Sequence, residues 1–230
     1  METPEKGKII TGACSVTYGH GLKDCIAKDG KNPGPQPSQY SYVSLLGKKL
    51  NQEVINLSTP GGSNERMLYE LQTVNINPQD TVIILWSYFY RNAFYNQYGI
   101  ANFHAYGGIE EYNKYLVNVS NDNDAQLKNL LNILYTTYYL ESKGCKIMYG
   151  FLESFMEERL FKPYEEVFYK SLFHIEKYNC LDFYLFQAWG FQNEGVFPLA
   201  GDNSHPGEMF HEFLADHIYN LFPQSSPKII

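Results

Sequence analysis

Three residues at opposite ends of the sequence carry the types needed for acyl transfer. Ser15 stands in Gly12-Ala13-Cys14-Ser15-Val16-Thr17-Tyr18-Gly19, directly after the first apolar run. Asp202 and His205 stand in Asp202-Asn203-Ser204-His205-Pro206, at the opening of the last amphipathic stretch. A serine hydroxyl is a weak nucleophile until a base removes its proton, and an imidazole base needs a carboxylate to fix its tautomer. The acid and the histidine are close enough in sequence for one short loop to place both. Cys14 is a competitor for the nucleophile. Adjacent residues at a strand end point to opposite sides, so a Ser15 facing a cleft turns Cys14 inward, where a small thiol packs as a hydrophobe.

For these ends to meet, the elements between them must form one sheet. Short apolar runs at Lys8–Gly12, Glu53–Leu57, Thr81–Trp86, Cys145–Phe151 and Leu181–Phe186 read as strands. Helical periods fill the gaps at Ser38–Leu50, from a Ser63 cap through Met67 and Leu71, and at Asp122–Ser142, which stops at Gly144. Further helices are predicted at Glu165–Lys177 and Pro206–Leu221, the last with Pro206 in its first position. Alternation of this kind predicts βαβ units, hence an α/β fold: a three-layer α/β/α sandwich around a five-stranded parallel sheet, flavodoxin-like in layout. At 230 residues the chain suits one domain, 1–230, with Tyr88–Gly108 as a long aromatic insertion that shapes a site.

Sites in such sheets lie beyond the carboxyl ends of the strands. After the second strand comes Ser58-Thr59-Pro60-Gly61-Gly62-Ser63-Asn64, whose glycines leave backbone N–H groups open to an anion. After the third come Ser87, Tyr88 and Arg91. Gly62, Asn64, Ser87 and Arg91 are therefore candidate oxyanion or substrate contacts.

Composition excludes several other classes. The net charge is −7 with no basic run, so no nucleic-acid footprint exists. No 20-residue apolar span is present, and Met1-Glu2-Thr3-Pro4-Glu5-Lys6 lacks the apolar core of a secretory signal. The expectation is a cytoplasmic protein or a component of a viral particle. The 4 cysteines lack CxxC spacing and read as reduced thiols. His211 and His217, with Asp216, fall on different helix faces and do not predict a metal site, while His20, His104 and His174 are expected at the surface or satisfied in the core. The Gly12–Gly21 segment lacks the lysine and glycine spacing of a phosphate loop, and Ser15 lacks the mid-chain elbow of α/β-hydrolases.

In block order, from Ser15 through Gly62-Ser63-Asn64 and Trp86-Ser87 to Asp202-x-x-His205, the chain resembles the SGNH, or GDSL-like, hydrolases. The segment Cys14-Ser15-Val16-Thr17-Tyr18-Gly19 is similar to a family variant reading Gly-Cys-Ser-x-Thr-x-Gly. The resemblance implies Ser15 as nucleophile, His205 as base, Asp202 as its orienting acid, and the N–H groups of Ser15 and Gly62 as oxyanion donors. It implies an esterase or carbohydrate O-deacetylase acting on a small-molecule or glycan ester, with no metal or organic cofactor. Two departures stand out. Ala13-Cys14-Ser15 replaces Gly-Asp-Ser, and the third block, Leu85-Trp86-Ser87-Tyr88, lacks the asparagine that the family aims at the oxyanion, leaving Asn64 or Ser87 as substitute donors or Arg91 to steer an anionic substrate. Losing one such donor costs about 10²–10³ in turnover. Two other readings therefore accompany hydrolysis: a catalytically weak binding or structural module, and an acyltransferase built on the same acyl-enzyme.

Overall fold

The computed structural model describes residues 6–88, 91–96, 99–103, 122–152, 170, 177–181 and 197–222. Five strands, β1 (Ile9–Gly12), β2 (Val54–Asn56), β3 (Thr81–Trp86), β6 (Lys146–Phe151) and β7 (Asn179–Leu181), form one parallel sheet in the order β2-β1-β3-β6-β7. A separate antiparallel hairpin, β4 (Asn92–Asn96) and β5 (Gly99–Phe103), occupies part of the expected aromatic insertion. The helices are α1 (Ser15–Tyr18), α2 (Tyr42–Leu50), α3 (Asn64–Gln72), α4 (Asp122–Lys143) and α5 (Glu208–Leu221).

The three layers follow from the pleat. Successive residues of a strand face opposite sides, so a fully apolar strand feeds two cores. In β3, Val82, Ile84 and Trp86 enter the core covered by α3 and α4, with Met67, Leu71, Leu130 and Ile133. Ile83 and Leu85 enter the other core, covered by α2 and α5, with Tyr42, Leu46, Phe210 and Leu214. Ile10 and Ile9 split in the same way on β1. Each such side chain is worth roughly 1.5–3 kcal/mol on burial, which secures the register Ile10↔Val82 and Ile10↔Ile55 against slippage.

Several boundaries differ from the sequence expectations for local reasons. Pro206 is not the first residue of α5. It pairs with Leu199 in an isolated bridge, Gly207 is the N-cap, and the Gly207 N–H donates to the Pro198 carbonyl at 3.1 Å. The Ser63 cap is present, its Oγ accepting from the Arg66 N–H at 3.3 Å. Gly144 ends the long helix at φ +68. The last strand begins at Asn179 rather than Leu181, and Asp182–Phe186 lies outside the described residues. Of the expected Glu165–Lys177 helix, only Lys170 and Lys177 are described, both helical. No helix among the described residues is long and apolar enough to cross a membrane.

The chain leaves β1 for β2 on one side of the sheet and then returns to β3 on the other. That reversal opens a crevice at the carboxyl ends of β1 and β3. Ser15 sits there.

Candidate active site

Ser15 is the first residue of α1, a single turn preceded by Cys14 in extended backbone and closed by Gly19 at φ 81. The Ser15 carbonyl accepts from the N–H groups of Gly19 and His20, both at 3.0 Å. The hydroxyl of Ser15 is thus fixed on a rigid turn, while Cys14 is buried in the α2–α5 core.

The acid and base arrive on a loop that closes on itself. Ala200 N–H donates to the His205 carbonyl at 2.8 Å, and Asn203 N–H to the Ala200 carbonyl at 3.0 Å, with Asn203 left-handed at φ 54. Asp202 Oδ1 accepts from the N–H groups of Ser204 at 3.0 Å and His205 at 3.1 Å. Its Oδ2 lies 2.6 Å from His205 Nδ1. His205 Nε2 then lies 2.9 Å from Ser15 Oγ. An ionised Asp202 only accepts, so Nδ1 carries the proton and Nε2 presents its lone pair to the Ser15 hydroxyl. A second backbone tie, Gly201 N–H to the Gly21 carbonyl at 2.9 Å, fastens this loop to the segment after α1.

Electrostatics keep this chain poised. Burial alone would raise the Asp202 pKa, but its hydrogen bonds from His205 and from two backbone N–H groups prevail and hold it below the usual carboxylate value. Burial lowers the His205 pKa, and the charges of His20 and Arg91 push the same way, against the pull of Asp202. The imidazole is therefore neutral, and able to accept a proton, at neutral pH.

His20 is not the detached histidine expected from sequence. Its ring centroid lies 4.4 Å from that of His205, and its Nε2 is 3.8 Å from Asp202 Oδ2. The signal lay in the pair of glycines flanking it, since Gly19 and Gly21 both have positive φ and turn the chain back over Ser15. His20, Asp202 and His205 each offer a ligand atom within 4.8 Å of the others, a spacing that could hold a metal ion. In the present geometry Asp202 and His205 spend those atoms on each other, and His20 Nε2 donates to the Lys31 carbonyl at 2.9 Å.

The other candidates form a supporting lattice. Asn64 Oδ1 accepts from the Ser87 N–H at 2.8 Å, and its Nδ2 donates to the Ser87 carbonyl at 3.2 Å and to Asn129 Oδ1. This side chain clamps the end of β3 to α3 and α4, so its amide is committed to structure. The Gly62 N–H is also committed, donating to the Thr59 carbonyl at 2.7 Å. Arg91 Nη1 donates to Ser87 Oγ at 2.9 Å, its guanidinium stands 4.9 Å from the Tyr88 ring, and its buried Nε has no partner among the described residues. Arg91 is thus the candidate after the third strand that keeps an unbonded donor among the described residues, and its charge acts on His205.

No family model and no curated protein matches the chain. Solved structures do. An acetyl xylan esterase, Est2A, from Butyrivibrio proteoclasticus superposes with a TM-score of 0.54 at 12% identity, covering 96% of this chain and 65% of its own. The psychrotrophic esterase EstA from Pseudoalteromonas sp. gives 0.52 at 14% identity, covering 94% and 96%. A member of the lipolytic G-D-S-L family from Veillonella parvula gives 0.50 at 14%, covering 94% and 97%. This chain has the fold of the SGNH (GDSL-like) hydrolases.

Proposed function

We propose that the protein is a serine-dependent ester hydrolase of the carbohydrate O-deacetylase type, acting through an acyl-enzyme on Ser15. The observation that carries this reading is the unbroken chain from Ser15 Oγ to His205 Nε2 at 2.9 Å and from His205 Nδ1 to Asp202 Oδ2 at 2.6 Å. The similarity of the fold to esterases, one of them an acetyl xylan esterase, supports the substrate class.

In the proposed reaction Ser15 Oγ attacks the acyl carbon while His205 Nε2 takes its proton. The carbonyl oxygen becomes an oxyanion, met by the Ser15 N–H, which as the first of a helical turn has no intrahelical partner. Arg91 supplies the second donor in place of the missing third-block asparagine. His205 returns its proton to the leaving alcohol, and the acyl-enzyme forms. Water then gives a proton to His205 and attacks the acyl carbon, the acyl–Oγ bond breaks, His205 returns the proton to Ser15 Oγ, and the carboxylic acid leaves. No residue here requires a metal or an organic cofactor for these steps.

A second reading has one observation behind it. Gly62 and Asn64 are both engaged internally, so the oxyanion site has fewer free donors than the family pattern implies. A hydrolase-like domain that binds an ester or glycan without turning it over would look this way. Hydrolysis of p-nitrophenyl acetate by the purified chain and by Ser15→Ala separates the two. The expected result is a loss of at least about 10³-fold in kcat/KM. Equal rates in both proteins would leave only the binding reading.

A further inference from the structure

A cavity of about 300 Å³ lies where α3, β4 and α4 meet, lined by Glu65, Asn92, Lys128, Leu131, Asn132 and Tyr135. None of these residues belongs to the Ser15–His205–Asp202 chain. Asn132 is only 9% exposed, and its Nδ2 has no hydrogen-bond partner among the described residues. Glu65 Oε2 is likewise buried and without a partner among the described residues. Burial pushes the Glu65 carboxyl upward, against its own backbone N–H, the Ser63 side chain, the charge of Lys128 and, last, Asn132. A buried donor and a buried acceptor left open on facing helices each cost about 1–3 kcal/mol. Such a pair is retained where something else satisfies both.

We propose that this cavity is a binding subsite for one neutral, polyhydroxylated ring, a pyranose of the glycan that carries the ester. A hydroxyl is the group that can donate to Glu65 Oε2 and accept from Asn132 Nδ2 at once. Leu131 and Tyr135, the latter 60% exposed, offer the apolar surface that the face of such a ring requires. The volume is at the lower end for a ligand pocket and suits one ring rather than an acyl chain or an extended oligomer. Glu65 follows Asn64, which clamps Ser87, and Asn92 follows Arg91, whose charge acts on His205.

The inference rests on the proposed ester hydrolysis for the identity of the ligand, and its test is independent of turnover. The probe is methyl β-D-glucopyranoside, which carries no ester, titrated into the full-length Ser15→Ala protein and followed by amide NMR. Saturable shifts at the side-chain amides of Asn92 and Asn132 are expected, with weak, single-ring affinity. Glu65→Leu and Asn132→Leu remove the acceptor or donor, and each is expected to weaken binding about tenfold. Tyr135→Ala, at an exposed position that folding does not depend on, is expected to weaken it severalfold. No saturable shift, or equal affinity in the Tyr135→Ala and wild-type cavities, overturns the subsite. Binding without p-nitrophenyl acetate cleavage by the Ser15 protein sinks the hydrolase reading and leaves the subsite standing. Cleavage without binding does the reverse.

Discussion

His205 and His211 stand on either side of the N-terminus of α5, and the two regions use the same ring for opposite ends. His205 is on a loop, 18% exposed in its side chain, with Asp202 behind one nitrogen and Ser15 before the other. His211 is 1% exposed inside the α2–α5 core. Its Nδ1 accepts from the Tyr42 N–H at 3.0 Å, the first N–H of α2, and its ring stacks on Tyr42 at 14°. The Nε2 of His211 has no partner among the described residues, and the His211 pKa is pushed down to about 3 by burial and by the charge of His205. A carboxylate at 2.6 Å suits one histidine to the proposed role of base. With no acid partner among the described residues, the other is a neutral helix cap. Burial lowers both pKa values; the partner decides the use.

The comparison breaks first at Asp202. Asp202→Asn keeps an acceptor for the Ser204 and His205 N–H groups, so the loop stays closed, but it removes the charge that selects the Nδ1–H tautomer. The expected loss is about 10³–10⁴ in kcat with little change in thermal stability. A variant that retains more than a tenth of the wild-type rate would show that Asp202 only shapes the loop, as Tyr42 and His211 shape theirs.

The next test is pH, because the two histidines separate stability from activity. For His211 the folded pKa lies below the unfolded value near 6.5, so the unfolded chain binds the extra proton. Its contribution is complete above about pH 6.5 and is lost as pH falls toward 3, at roughly 1.4 kcal/mol per pH unit. Between pH 6.5 and pH 5 the wild type should lose about 2 kcal/mol of unfolding free energy that His211→Gln does not lose, as read from urea midpoints. The glutamine keeps an acceptor for the Tyr42 N–H and cannot titrate. His205 is lowered in the same direction and remains in both proteins, so the difference between the two curves belongs to His211. Parallel curves would mean that His211 is not the neutral cap described here.

Much of this was legible in the residue pattern, and the exceptions have physical reasons. Strands β1, β3 and β6 announce themselves as continuous β-branched and apolar runs, since both faces are buried. Which face each residue takes was not legible, because a strand that is apolar throughout gives no alternation to read. The Ser15, Asp202 and His205 set was visible from type and order, and the fold brings it within hydrogen-bonding distance. Oxyanion candidates read less well. Whether the Gly62 N–H or the Asn64 amide is free depends on local hydrogen bonds to Thr59 and Ser87, which spacing does not encode. The β4–β5 hairpin was read only as an insertion, because its aromatic run has neither a two-residue turn signal nor clear alternation. His20 was missed since its contacts with Asp202 and His205 span nearly the whole chain.

The smallest expected effect separates backbone strain from site geometry, at two glycines in the same left-handed region. Gly21 has φ +87, and a Cβ there would sit 2.6 Å from Asp202 Oδ1 and 2.9 Å from the Ala200 Cβ. Gly30 has φ +68 and would meet nothing within 4 Å. Replacing either by alanine incurs the penalty for a left-handed non-glycine residue, about 1 kcal/mol. At Gly30 the effect ends there, and kcat/KM should match the wild type. At Gly21 the new methyl must push the Asp202 carboxylate away from His205, and the Gly201 N–H bond to the Gly21 carbonyl ties any backbone shift to the same loop. Gly21→Ala is therefore expected to lose about 1–2 kcal/mol of stability and roughly tenfold in kcat, with KM little changed, because the displaced acid misorients the base without touching the substrate. If both variants lose equal stability and neither loses activity, Asp202 tolerates the displacement. The loop that carries it would then be positioned from its own internal turn alone.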